Sequence, residues 1–371
     1  MILNYKYRLR ISDKDKRRLD SFIFEYNQAY NISLNLIQTD GRKMYDDGIK
    51  SNVIFNTLYK KVRSSLKSRN IQDKSALTQD ALREAYNTLF TNIKKVKRKG
   101  NTNFKLHFKD SSRFDGSFKY RTNEFNPKIF GKKLNHVMSR EIPHGYRILG
   151  SRIKREGTEY YIIYTITDDK DDKIVNDLDY VGIDANQGNY TFSNGYRIDF
   201  LQSVYPDLEK KRIFRQRKLS SKTKGSKKRK KSKLLLYRTS RKIKRRRTDD
   251  IQKRVTKVLN DVKANYVIEK LDIKKMTKKD SKGCKGLTKN MLHVSHNQFF
   301  TILSYKATLN DRIVVSVNPA YTSRTCSRCG YVKEKLSLSD RVYKCHHCGL
   351  TIDRDLNAAI NIKGRVTTLY G

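Results

Sequence analysis

No stretch of this 371-residue chain approaches the roughly 18 consecutive apolar residues of a membrane-spanning helix. Its amino terminus, MILNYKYRLR, also lacks the apolar core of a secretory signal. The expectation is an intracellular protein, set by default in a prokaryotic cytoplasm and nucleoid, with no membrane partner. Cysteine is scarce: of five residues, four fall in two CxxC pairs and Cys284 stands alone in a Lys/Gly-rich stretch. That excludes a disulfide scaffold and suits a reducing compartment. Internal repeats of roughly 20–50 residues are missing as well, which sets repeat architectures aside.

Acidic residues are few. With 37 Asp and Glu against 82 Lys and Arg, the formal charge is +45 and the pI near 10.1. Charge of this size exceeds what solubility needs and calls for a polyanionic partner, nucleic acid before a membrane surface. A hydrophobic content of 37%, with 23 Tyr and 15 Phe, still allows real cores, and the length suggests two or three domains.

Hydrophobic periodicity divides the chain. Leu3, Tyr5, Tyr7, Leu9 and Ile11 alternate with Lys6, Arg8 and Arg10, the pattern of a half-buried strand with a cationic outer face. From Asp13 to Lys97 the spacing turns helical, through Leu19, Ile23, Tyr26 and Tyr30, then Ile54, Leu58, Val62 and Leu66, then Leu82, Tyr86 and Leu89. Alternation returns at Phe104, Leu106 and Phe108, and the segments around Tyr146 to Ser151 and Tyr160 to Thr167 flank Gly157 like a hairpin. A helical block is thus inserted into a small β domain. The aromatic residues set among basic ones between Phe104 and Tyr120 are core candidates first and base-stacking candidates second.

After the acidic linker DDKDDKIVNDLD, the run VGIDAN delivers Asp184 at the end of an apolar strand, followed by a strand at Tyr190 to Phe192 and a turn at Asn194-Gly195. Residues 210–247 then hold 21 Lys/Arg and no acid. A charge run is usually a solvated face, but this many like charges repel one another unless phosphates screen them. A basic helical hairpin lying along a nucleic acid is therefore favoured, with Arg215, Arg217, Lys218, Lys228, Arg229, Lys230, Arg245 and Arg246 as candidate contacts. Further on, the strand Tyr266-Val267-Ile268 ends in Glu269, a helix is expected near Ser295 to Asn310, and a strand at Arg312 to Val317 leads through Asn318-Pro319 to the cysteines.

Cys326/Cys329 and Cys345/Cys348 are separated by 15 residues, a spacing at which two knuckles close one tetrahedral zinc site. Each pair is followed by glycine, Gly330 and Gly349, where a knuckle needs positive φ. Four thiolates leave no open coordination position, so the expected zinc is structural.

Three acids stand at element ends among apolar or small residues: Asp184, Glu269, and Asp355 at the start of the last helix. Each has a plain alternative: a turn residue for Asp184, a lysine partner for Glu269, a helix cap for Asp353 or Asp355. Carboxylates in such settings are costly unless a hard cation binds them, and two Mg²⁺ ions about 4 Å apart would suit phosphodiester hydrolysis. Their order along the chain points to an RNase H-like nuclease core.

The motifs VGIDAN, VIEKLDIKKM, NPAYTSRTCSRCG and YKCHHCGLTIDRDLNAAINI resemble those of the TnpB family, transposon-encoded RNA-guided DNA endonucleases related to type V CRISPR effectors. The likeness is firm over residues 180–371 and architectural before that. It implies an α/β and α+β multidomain chain: a β-barrel wedge domain over residues 1–12 and 98–172, a helical recognition insertion over 13–97, a RuvC-like core over 178–320 with the basic hairpin at 205–262, a zinc ribbon over 321–350 and the end of the core over 351–371. It further implies catalytic magnesium on Asp184, Glu269 and Asp355, with Asp353 supporting, a guide RNA derived from the mobile element, and cleavage of double-stranded DNA beside a short target-adjacent motif. One departure concerns the turn beside Asp184, where Asn186 occupies the family's usual glycine position and Gly is displaced to Gly188. Two rivals are a nuclease-inactive guided DNA-binding regulator, against which the intact triad speaks, and a transposase acting directly on element ends.

Overall fold

The structure, a computed structural model, describes residues 2–72, 74–99, 107–109, 115–120, 122, 124–125, 127–133, 135–169, 176–186, 188–199, 205–270, 296–337 and 340–366, without side chains over 89–99. Phe104, Leu106 and Cys284 lie outside the described residues. Two compact units emerge, Met1–Asp172 and Lys173–Gly371.

In the first unit, β1 (Ile2–Leu9) alternates in burial residue by residue, with Leu3, Tyr5, Tyr7 and Leu9 inside. The helices α1 (Asp13–Leu36), α2 (Arg42–Asp46), α3 (Ser51–Ser68) and α4 (Ser75–Lys99) follow. Ser12 caps α1 by accepting from the Asp15 amide, and Ile54, Leu58, Val62 and Leu66 bury one stripe of α3. The chain continues through β2 (Asp115–Tyr120), the short pair β3 (Lys128–Ile129) and β4 (Lys132–Lys133), β5 (His136–Val137), β6 (Arg147–Glu156) and β7 (Glu159–Thr167). The sheet is antiparallel in the order β2-β6-β7-β1-β5, and Gly157, at φ 66°, turns the β6/β7 hairpin. The cationic face of β1 is partly neutralised in place: Lys6 meets Glu156 at 2.6 Å and Arg8 meets Glu159 at 3.2 Å. Glu84 of α4 ties the helices to the sheet, accepting from Tyr26 of α1 at 2.5 Å and pairing with Arg152 of β6 at 3.3 Å.

The second unit is built on β8 (Tyr180–Ala185), β9 (Asn189–Phe192), β10 (Arg197–Asp199), β11 (Asn265–Glu269) and β12 (Val314–Val317), ordered β10-β9-β8-β11-β12. The strands β8, β11 and β12 are parallel, and β9 is antiparallel to both neighbours. Between β10 and β11 come α5 (Pro206–Ser220) and α6 (Lys227–Asp261); α7 (His296–Thr308) precedes β12. One sheet face, with Val181, Ile183, Tyr266 and Ile268, packs on Val255, Val258 and Leu259 of α6 and on Phe299 and Leu303 of α7. The other face, with Val267, Val315 and Val317, packs on Ile362 of α8 (Arg354–Gly364) and on Val366. The cysteines lie beside the small pair β13 (Val342–Lys344) and β14 (Thr351–Asp353). Among the described residues, no helix is long and apolar enough to cross a membrane.

Candidate active site

Alternation and register bring two of the three acids together. β8 and β11 pair in parallel with Val267 opposite Gly182 and Ile268 opposite Ile183, so Glu269 follows beside Asp184 at adjacent strand ends, about 4.8 Å away along the sheet. Side chains two apart share a face, which places Asp184 with Gly182 and Glu269 with Val267 on the side that α8 covers. The third acid arrives through a close approach. A Cβ on Gly182 would sit 2.1 Å from the Ala359 carbonyl oxygen and 2.6 Å from the Lys363 amide, so α8 lies backbone against strand. Asp355 is one helical turn before Ala359, about 6 Å along the axis, and Asp184 is two residues beyond Gly182, about 6.6 Å along the strand. Asp355 lies near enough for its charge to act on Asp184, although among the described residues the ligand atoms gathered into one cluster are those of the four cysteines and not of the three acids.

The electrostatics match this placement. Asp184 is only 7% exposed, and its carboxyl is pushed up to about 7, by burial first and then by the charges of Glu269 and Asp355. Burial likewise raises Glu269, and burial followed by Asp353 raises Asp355. All three carboxyls resist ionisation on their own, which is the state of an oxygen-ligand set that a hard dication would relieve. Asp353 is different. It is the N-cap of α8, accepting from the Asp355 and Leu356 amides at 3.0 Å each, and it pairs with Arg197 at 2.6 Å. Burial pushes its carboxyl up, but Arg197 and the two amides outweigh that and hold it below the ordinary range. One carboxylate oxygen of Asp353, Oδ1, thus takes all three contacts, leaving Asp355 as the candidate for the site.

Several residues around the acids had no contact assigned to them from the sequence. Asn186, where the family's glycine would stand, donates to Asp184 Oδ2 at 3.0 Å and steadies the carboxylate. Thr322 Oγ1 donates to Glu269 Oε1 at 2.5 Å. Asn361 Nδ2 donates to the Thr322 and Thr325 carbonyls at 2.9 and 2.7 Å, while Asn357 donates to the Thr325 carbonyl at 2.8 Å and accepts from the Ser327 amide at 2.9 Å. Two asparagines four apart on α8 thus grip the turn that carries Thr322 and leads into the first knuckle. Their i, i+4 spacing in an Ala/Ile helix was the available signal. Replacing Asn361 with Ala removes the amide that donates to two backbone carbonyls, and a loss of about 1–3 kcal/mol in thermal unfolding is expected; Asn361→Asp, which turns a carboxylate oxygen toward the same carbonyls, is expected to cost at least as much.

The thiols form a closed cluster. Cys326 and Cys348 Sγ are 3.6 Å apart, Cys329 and Cys345 Sγ are 3.7 Å apart, and all four ligand atoms lie within 4.8 Å of one another. A zinc–sulfur bond of about 2.3 Å in a tetrahedron gives an edge of roughly 3.8 Å, so the donor set fits the metal. Gly330 and Gly349 hold φ of 76° and 69°, and their amides donate back to Cys326 and Cys345, closing each knuckle. Tyr343, Leu350 and Ile352 pack against the cysteines, a very small core. Cys345→Ser is expected to lower zinc content and melting temperature together, because folding of so small a core is coupled to the metal; atomic absorption and calorimetry on one sample would check it.

The basic segment is a helical hairpin, α5 against the first half of α6, turned at Gly225 with φ 88°. Two of its candidate contacts hold the hairpin itself. Arg229 donates to the Leu219 and Lys222 carbonyls at 2.8 and 2.7 Å, and Arg215 donates to the Leu235 carbonyl at 2.8 Å and to Thr239. Arg217, Lys218, Lys228, Lys230, Arg245 and Arg246 are exposed, Arg246 lying over the Tyr205 ring.

With this geometry in hand, likenesses to known proteins can be placed on it. Residues 172–280 match the OrfB_IS605 family ("Probable transposase"), and residues 296–362 match the Cas12f1-like TNB domain. A relative from Streptomyces pristinaespiralis, whose name contains the words "RNA-guided DNA endonuclease", is 27% identical over 249 residues, 66% of this chain and 60% of its own. One from Escherichia coli, whose name contains the same words, is 30% identical over 193 residues, 49% of this chain and 48% of its own. The chain therefore spans about half to three-fifths of these two relatives. TnpB-like protein MJ0751 of Methanocaldococcus jannaschii is 30% identical over 209 residues, 51% of this chain and 71% of its own. Among solved structures, a Cas12f1–sgRNA–target DNA complex superposes with a TM-score of 0.57 at 16% identity, over 95% of this chain and 83% of that one, a likeness of fold.

Proposed function

The chain belongs to the TnpB family, and on that premise we propose that it is a transposon-encoded, RNA-guided, Mg²⁺-dependent DNA endonuclease that cuts double-stranded DNA beside a short target-adjacent motif. The observation that supports this reading is that Asp184 and Glu269 stand at adjacent strand ends and that the charges of Glu269 and Asp355 both act on the buried Asp184, all three carboxyls being pushed toward the protonated form. The strand order β10-β9-β8-β11-β12, with β9 reversed, supports reading residues 178–320 and 351–371 as an RNase H-like, RuvC-type core around the zinc ribbon of 321–350. In the first unit, the sheet and its intervening helices are read as the wedge and recognition lobes.

Magnesium held by the three carboxylates would activate water and neutralise charge on the scissile phosphate. The chain's own contribution is placement. Asp184 is buried and steadied by Asn186, Glu269 is fixed by Thr322, and Asp355 is aimed by a helix whose start is capped by Asp353. Guide pairing would read the sequence while the basic hairpin supplies backbone charge. Binding of nucleic acid is accordingly expected to fall steeply between low and moderate salt, with a log–log slope of at least about −4 if most exposed hairpin cations meet phosphates. A flat response would deny the hairpin that role.

The test is a plasmid cleavage assay on protein purified with its accompanying RNA, which is then sequenced. Cutting that requires Mg²⁺ and is abolished by RNase supports the proposal. Target binding without cutting would favour the guided regulator, and strand transfer of element ends that survives RNase would favour the transposase.

A further inference from the structure

Between α1 and α3 lies a cavity of about 350 Å³ beside Phe108, a size within the range of small-ligand sites. Phe108 is 54% exposed, although Phe118 from the same aromatic and basic segment is buried at 4%. Its exposure is not slack chain. The next residue, Lys109, is pinned on both backbone atoms by one side chain: Asn31 Oδ1 accepts from its amide at 2.7 Å and Asn31 Nδ2 donates to its carbonyl at 2.9 Å. The Lys109 ammonium donates to Glu84 at 2.8 Å and lies over the rings of Tyr30 and Tyr26 at 4.1 and 4.6 Å. A fixed backbone thus presents a large apolar ring to solvent.

The remaining wall supplies what a base would need. Ile32 and Leu36 give an apolar floor, Asn35 and Ser65 offer donors and acceptors for a base edge, and Arg69 at the end of α3 brings a guanidinium. Among the described residues that line the cavity none is acidic. We propose that this cleft takes one unpaired nucleobase, stacked on Phe108 with Arg69 beside its phosphate. The proposal rests on the nucleic-acid reading above. Its energetic logic is pre-organisation: a ring already held in place loses little freedom when a base stacks on it, and such stacking is worth about 1–3 kcal/mol per base.

Anisotropy titrations of the full chain with short single-stranded RNA and DNA oligonucleotides, over a range of salt, test it. Phe108→Ala should weaken binding by roughly 5- to 150-fold with the salt slope unchanged, because stacking releases no counterion. Phe108→Tyr should stay within about 2-fold of wild type, and Arg69→Gln should make the slope shallower by about 1. The strand type that loses affinity identifies the source of the base; equal losses mean that the sugar is not read. Phe108→Ala binding like wild type overturns the inference while leaving the proposed function standing. Wild type that binds neither strand type overturns both. Because Phe108 is exposed, its variants should melt with wild type.

Discussion

Replacing Asp184 with Asn is expected to lower target cleavage by about 10³-fold or more while leaving target capture within about 2-fold. The amide keeps the shape of the carboxyl inside a site that is only 7% exposed, so packing survives and only the charge is lost. A second readout separates a metal ligand from a structural acid. The Asp184 carboxyl is raised from 3.8 to about 7 in the folded chain without metal, so between those values the folded state keeps a proton that the unfolded chain has released. Its contribution to stability is therefore complete below about pH 4 and disappears as pH rises through 7. Three pKa units correspond to about 4 kcal/mol of strain in the ionised form, an upper figure. Asn does not titrate. In EDTA, Asp184→Asn should thus melt higher than wild type at pH 8, by up to roughly ten degrees, and the gap should close toward pH 5. Adding Mg²⁺ should raise the melting temperature of wild type and not that of the variant. A variant that melts below wild type at pH 8 would mean that Asp184 is held by a structural partner and is no metal ligand.

Much of this site could be read in the linear chain because its parts are local. An apolar strand ending in an acid, and two CxxC pairs each followed by glycine, carry their reasons within a few residues. The amphipathic stripes of α1 and α3 were readable on the same grounds. The preference for Asp355 over Asp353 rested on the family resemblance rather than on any local pattern, and the structure adds that Arg197 arrives from β10 to pair with Asp353. Arg215 and Arg229 looked like their exposed neighbours until the hairpin closed and their guanidinium groups met carbonyls on the opposite arm. Thr322 was hidden, and Asn357 and Asn361 showed only their i, i+4 spacing, for a related reason: their partners are backbone groups or an acid roughly 30–50 residues away. What sequence pattern hides is the pairing of distant polar groups. What it shows is the apolar framework that makes such pairing possible.

Gly182 belongs to the hidden class, and Gly182→Ala is the second large effect expected. Taken alone, Ala in a strand is worth about 0.5–1 kcal/mol over Gly, so local reasoning forecasts stabilisation. The contact reverses the sign. The added methyl would stand 2.1 Å from the Ala359 carbonyl oxygen and 2.6 Å from the Lys363 amide, both backbone atoms with no rotamer to yield. Strand and helix must part, at a cost of about 3 kcal/mol or more, which in a unit of this size lowers the melting temperature by roughly 6–12 °C. The same displacement carries Asp355 away from Asp184, and a shift near 1 Å in a catalytic group costs on the order of 10²-fold in rate. Cleavage should therefore fall at temperatures where the variant is still fully folded. Gly188→Ala is the control: its Cβ would meet nothing within 4 Å, and both readouts should match wild type. If Gly182→Ala instead melts and cuts like wild type, α8 does not rest on β8, and Asp355 loses its place beside the other two acids.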